Sequence, residues 1–172
     1  MQGKERRKEI LSILKGKKEP ISGTVLAESL GVSRQIIVQD IAILRASGIS
    51  IFATPKGYLL PNGEDGGLVK IIACHHNREN TKRELEIIVD NGGKVLDVIV
   101  EHSLYGEIKG LLMLCSRLDI KNFISQYEKT DNKPLSFLTG GTHLHTINVP
   151  NEGSFKRIIK ELDEEGYLID TE

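Results

Sequence analysis

The stretch LAESLGVSRQIIVQDIAIL, residues 26–44, constrains this chain more than any other. It fits a helix, a glycine turn and a second helix into about twenty residues, the economy of a helix-turn-helix. Gly31 supplies the left-handed backbone that the turn needs at no steric cost. Val32 offers a small apolar plug for the helix crossing, and Ser33 is an N-cap for the second helix.

The flanks extend this unit. KERRKEILSILKG, residues 4–16, places Ile10, Leu11, Ile13 and Leu14 close to one helical stripe and ends at Gly16. ISGTVLAESLG opens with Ser22 as a cap and is expected to pack Val25, Leu26 and Leu30. The third helix should turn Ile36, Ile37, Ile41 and Leu44 inward and stop at Gly48. ISIFATPKGYLL, residues 49–60, reads as two short strands around a tight TPKG turn, which makes a wing.

In such a unit the second helix of the pair enters the DNA major groove with its N-terminal residues. Here those are Ser33, Arg34, Gln35, Val38 and Gln39. Arginine pairs with guanine and glutamine with adenine. Lys56 at the wing tip would reach phosphate or the minor groove, and Lys4, Arg6 and Arg7 would meet backbone phosphates. Charge agrees. Residues 1–62 carry ten Lys/Arg against five Asp/Glu, whereas the rest of the chain carries thirteen against nineteen. A basic first third on an acidic remainder suits a nucleic-acid module joined to something else.

PNGEDGGLVK, residues 61–70, is the best domain boundary, with a proline and three glycines between apolar segments. We expect a DNA-binding domain over 1–62 and a second domain over 68–172. In the second, GLVKIIACH, KVLDVIVEH and YGEIKGLLML read as strands, and PLSFLTGGTHLHTINVP as two strands around Gly140 and Gly141. NRENTKRELEIIVDNGG, SRLDIKNFISQYEKT and EGSFKRIIKELDEEGYLI read as helices. Short turns join several strands, which favours an α+β open-faced sandwich with a mostly antiparallel sheet.

Cys74 and Cys115 lie far apart in apolar stretches and are expected to be buried and reduced. No apolar run approaches the roughly 18 residues of a membrane span, and the charged N-terminus lacks a signal-peptide core, so a cytoplasmic location is expected.

All five histidines, at 75, 76, 102, 143 and 145, lie in the second domain. His143 and His145 are two apart on a strand, so they share one face at roughly 6–7 Å. They could share a metal ion or be two ordinary polar residues; spacing alone leaves both open. With His143 and His145 on one side of the strand, Leu144 between them is expected to face the core.

Two resemblances bear on this. The pattern L-A-x-x-L-x-V-S-R with K-G-Y-x-L, over residues 5–60, resembles the winged helix of biotin-protein ligases and many bacterial regulators. Its combination with HH, RELEIIVDNGGKVLDVIVEHSLYGEIKG and GTHLHTI resembles the 3H domain of niacin-responsive transcriptional repressors, over about residues 5–170. That resemblance implies a divalent metal (zinc, nickel or iron) held by His76, Glu84, His143 and His145, with His75 and Glu86 as rivals for two positions. It matches His102 to another family histidine, expected near the effector pocket or the dimer contact. It implies niacin (nicotinic acid) as corepressor, a homodimer, and a palindromic double-stranded DNA operator for genes of NAD synthesis or niacin uptake. A regulator for which the metal itself is the signal is the alternative, and a metal-dependent hydrolase a remoter one. The 110 residues after position 62 contain no glycine-rich phosphate or biotin loop, so no enzyme is expected.

Overall fold

A computed structural model describes residues 2–61 and 66–169. The chain divides into two compact units, Met1–Asp65 and Gly66–Glu172. Part of the expected boundary stretch, residues 62–65, lies outside the described residues, as do Met1 and 170–172.

The first unit runs α1 (Gly3–Leu14), α2 (Gly23–Leu30), α3 (Arg34–Ala46), β1 (Phe52–Thr54) and β2 (Gly57–Leu59). Ser22 and Ser33 cap α2 and α3 by accepting the N–H groups of Val25 and Ile36. Gly31 ends α2 in the left-handed conformation at φ 64°. Ile10, Leu14, Leu26, Ile37, Ile41 and Leu44 form the core, with Val32 packed against it. Val25 departs from expectation and is exposed, because its neighbours Leu26 and Ala27 take the buried face of this short helix.

The wing is anchored backbone to backbone. Ile21 and Tyr58 exchange N–H to carbonyl bonds of 2.9 and 2.8 Å. Gly57 is required there: at φ 131°, a Cβ would stand 2.2 Å from the Ile21 carbonyl oxygen.

The second unit holds a four-stranded antiparallel sheet in the order β3 (Leu68–His75), β6 (Thr142–Val149), β4 (Lys94–His102), β5 (Gly106–Leu114). Helices α4 (Thr81–Asp90), α5 (Arg117–Lys129) and α6 (Glu152–Glu164) pack their apolar stripes on it. Leu85, Ile88, Ile120, Ile158 and Leu162 meet Ile72, Val95, Leu114, Ile147 and Val149 in one core. On the edge strand β3, Val69 and Ile71 are 62% and 63% exposed while Ile72 and Cys74 are buried, so one sheet face is covered and the other open there. The fold is thus α+β, as the strand and helix patterns imply.

Three local expectations are corrected. Residues Leu135–Thr139 form a 3-10 helix, not a strand, because Pro134 leads into it and Gly140, left-handed at φ 64°, closes it. Cys115 is exposed, because β5 ends at Leu114 and the chain turns there into α5. Leu144 does not face the core. His143, His145, Ile147 and Val149 are all buried on the helix-covered face, and strict alternation puts Leu144 on the other.

Candidate metal centre and nucleic-acid interface

Register builds the centre. On β3 and β6, Cys74 lies opposite His143 and Ile72 opposite His145. His76, two residues past Cys74, follows the same side of the sheet, beyond the strand end. Helix α4 crosses above. Its buried positions Thr81, Glu84, Leu85 and Ile88 follow helical spacing, and this aims Glu84 at the histidines.

Glu84 is 0% exposed, yet no lysine or arginine neutralises it among its described contacts. Three imidazoles surround it instead. His76 Nε2 stands 2.6 Å from Oε2, while His143 Nε2 and His145 Nε2 stand 2.9 and 3.3 Å from Oε1. The rings of His143 and His145 lie 4.8 Å apart, and those of His76 and His143 4.9 Å apart.

The other ring nitrogens decide what this means. Nδ1 of His76, His143 and His145 donates to the carbonyls of Asn77, Gly141 and Asp97, at 2.7, 2.8 and 2.6 Å. A carbonyl only accepts, so each Nδ1 carries a proton and each ring turns its Nε2 toward Glu84. Without a proton or an ion there, three lone pairs would face a buried carboxylate. Such a knot of acceptors needs positive charge at its centre, from protons or from a metal ion. Locking a ring nitrogen to a backbone carbonyl is the usual support of a metal-ligating histidine.

Charge coupling within the knot is strong. Burial would push the Glu84 carboxyl up, but the His145 charge and the hydrogen bonds of all three rings hold it well below the usual carboxylate range. Burial would push His76 and His145 down, but Glu84 holds both above the usual imidazole value. The donor set, three imidazole nitrogens and one carboxylate, fits a borderline divalent ion such as zinc, nickel or iron(II).

The rival residues sit elsewhere. His75 is exposed and bonds Thr142 Oγ1 at 2.9 Å. Glu86 pairs with Lys82 and Arg117 at 4.0 and 3.5 Å. His102 ends β4, where its Nδ1 accepts the N–H groups of Leu104 and Tyr105, and it does not line the cleft described next. Sequence reasoning missed the carbonyl acceptors of Asn77, Gly141 and Asp97. The visible signal was Asp97, an acid in register with the buried Val95 and Ile99 of β4, whose Oδ1 accepts the Thr146 N–H at 2.8 Å.

A cleft of about 400 Å³ opens beside the knot, with His76 and Gly141 in its wall. Arg78, Lys133 and Phe137 also line it, together with one acid, Glu79. Lys133 Nζ lies 4.0 Å from the Phe137 ring centre. Cations and an aromatic face side by side suit a flat ring that bears a negative group.

In the first unit, Ser33, Arg34, Gln35, Val38 and Gln39 are all exposed along the start of α3. Lys56, at the wing turn, bonds Glu19 at 3.2 Å. Arg6 and Arg7 depart from the expected phosphate role. They hold the buried Asp40 of α3 at 2.5 and 3.1 Å, tying α1 to α3.

A 3H domain family model matches residues 69–171, and an HTH domain model matches residues 6–59. The probable transcription repressor NiaR of Thermotoga maritima is 48% identical over 166 residues, covering 96% of this chain and 94% of that protein. The transcription repressor NadR of Bacillus subtilis is 39% identical over 172 residues, covering 98% and 96%.

The chain belongs to the NiaR/NadR family of transcription repressors. As a NiaR/NadR member it is a DNA-binding repressor. Both family domains are matched in order, and α2 and α3 lie within the HTH match. Among the described residues, no helix is long and apolar enough to cross a membrane.

Proposed function

We propose that this repressor senses nicotinic acid through its 3H domain, with one divalent transition metal held by His76, Glu84, His143 and His145. The observation that carries the reading is the knot itself: three Nδ1-locked histidines around a fully buried carboxylate, beside a cleft with cationic and aromatic walls. A bound ion would supply Lewis acidity and an open position for an oxygen ligand.

The chain's own groups do the rest. The carbonyls of Asn77, Gly141 and Asp97 hold the three rings in one tautomer. Arg78 and Lys133 would pair with the effector's carboxylate, and Phe137 would lie against its pyridine ring. The cleft volume falls within the range of small-molecule sites.

Regulation then needs a difference in effector affinity between two arrangements of a homodimer, typically worth about 1–3 kcal/mol or 5–150-fold. One winged helix reads one half-site, so two copies would read a palindromic operator of NAD-synthesis or niacin-uptake genes in the cytoplasm.

A second reading, in which the metal itself is the signal, is favoured by one feature. The four-ligand set is complete without any effector group.

The test is DNA binding by the full chain to a sequence selected from a random pool, followed by anisotropy. Nicotinic acid should tighten binding, nicotinamide should do so less, and a chelator should abolish the response. Affinity that follows zinc but ignores nicotinic acid establishes the second reading. Affinity unmoved by any of them sinks both.

A further inference from the structure

The histidine knot has a fifth neighbour. Cys74 is 0% exposed and lies on β3 directly opposite His143. Its Sγ, a Glu84 carboxylate oxygen and a His143 ring nitrogen all lie within 4.8 Å of one another. Cys74 on β3 and His143 on β6 thus bring a sulfur and a ring nitrogen toward Glu84 from paired strands.

Packing alone does not account for this placement. A buried cysteine ordinarily behaves as a small hydrophobe among apolar groups. Cys74 belongs to the apolar core, yet it also borders the knot, within reach of a carboxylate that already has three imidazoles around it.

We propose that Cys74 supplies a sulfur ligand to the ion held by His76, Glu84, His143 and His145, making the centre a mixed nitrogen, oxygen and sulfur site. On binding, the S–H bond breaks, its electron pair forms the bond to the ion, and the proton leaves to solvent. The consequence is selectivity. Thiolate favours zinc, nickel, cobalt and iron(II), and disfavours magnesium, calcium and manganese. It also gives the centre a group that oxidation would remove from the ligand set. The inference rests on the metal reading above.

Cobalt(II) loading of the full chain separates the two claims. Visible d–d bands report that the ion is held, and a near-ultraviolet sulfur-to-cobalt charge-transfer band reports the thiolate. The expected result is both bands in the parent protein, loss of the charge-transfer band alone in Cys74→Ser, and retention of both in Cys115→Ser. Visible bands without charge transfer in the parent would overturn the sulfur ligand and leave the metal centre standing. No visible bands would overturn both. If Cys74→Ser does not fold, zinc-edge X-ray absorption of the parent decides: one sulfur at about 2.3 Å supports the ligand, and a shell of nitrogen and oxygen only refutes it.

Discussion

Gly141 and His76 are interlocked at the mouth of the histidine knot. Gly141 sits at φ 109°, and a Cβ on it would stand 2.4 Å from the His76 carbonyl oxygen. The same glycine's carbonyl accepts from His143 Nδ1 at 2.8 Å. One residue thus sets the backbone of one imidazole and the tautomer of another. Gly141→Ala should cost about 1–3 kcal/mol in strain and lower zinc affinity by about 10–100-fold. Calorimetric titration with zinc, alongside thermal melts, checks this; unchanged zinc affinity would show that the Gly141 backbone does not govern the centre.

Glu84 carries the countercharge of the knot. Glu84→Gln keeps the shape but leaves three imidazoles without a carboxylate between them. Zinc should raise the melting temperature of the parent and scarcely move that of the variant, because stabilisation by a ligand follows its affinity for the folded state. An equal zinc-induced rise in both proteins would remove Glu84 from the ligand set.

The ion-free fold should be most stable in mildly acidic solution. The Glu84 pKa is depressed on folding, so its contribution is present above the unfolded value of about 4.3 and is lost as pH falls through the folded one. His76 and His145 are raised on folding, so theirs is full below about 6.5 and is lost as pH rises through the folded values. Both contributions overlap between those limits. Zinc displaces the protons, so saturating zinc should move the maximum to higher pH. Denaturant melts from pH 4 to about 9, with and without zinc, measure it; coincident profiles would refute the coupling.

How much of this was legible beforehand depended on whether the cause was local. Gly31, Ser22 and Ser33 act through their own backbone neighbourhood, and the helix-turn-helix could be read from them directly. The shared face of His143 and His145 follows from strand alternation, but which face it is does not. An H-x-H on a surface strand and one beneath a helix look alike in sequence, and the inward assignment of Leu144 failed for that reason. The convergence of Glu84 with His76 came from resemblance, since no spacing rule fixes how α4 crosses the sheet. The carbonyls of Gly141 and Asp97 have no side-chain signature, and the strand bulge between Val95 and Asp97 is a product of pairing with β5. Arg6 and Arg7 looked like phosphate contacts because their partner Asp40 is 33 or more residues away.

Direct reading of DNA should depend on the exposed start of α3. Arg34→Ala and Gln35→Ala should each weaken binding to the selected operator by about 5–150-fold, the value of one good base contact. Zinc affinity should not change, because neither residue belongs to the 3H domain. Binding to unrelated DNA should fall far less than operator binding. Equal losses on both kinds of DNA would reassign the residue to phosphate contact.

Asp40 gives a different outcome, because it acts on the helix that carries those residues. It is buried on α3 and takes hydrogen bonds from Arg6 and Arg7, which remain partly open to water. Asp40→Ala removes this tie between α1 and α3 and leaves two guanidinium groups without that carboxylate at positions water can reach. The cost should therefore be moderate, about 1–3 kcal/mol, below that of stranding a fully buried charge. The loss should fall on the winged-helix unit. Denaturant unfolding should show the helical signal of that unit lost at lower denaturant, while zinc titration of the folded protein remains as in the parent. Operator affinity should drop in proportion to the fraction of that unit unfolded, and added stabilising osmolyte should restore it. An affinity loss without any change in stability would mean that Asp40 positions α3 on DNA and does not simply hold the unit together.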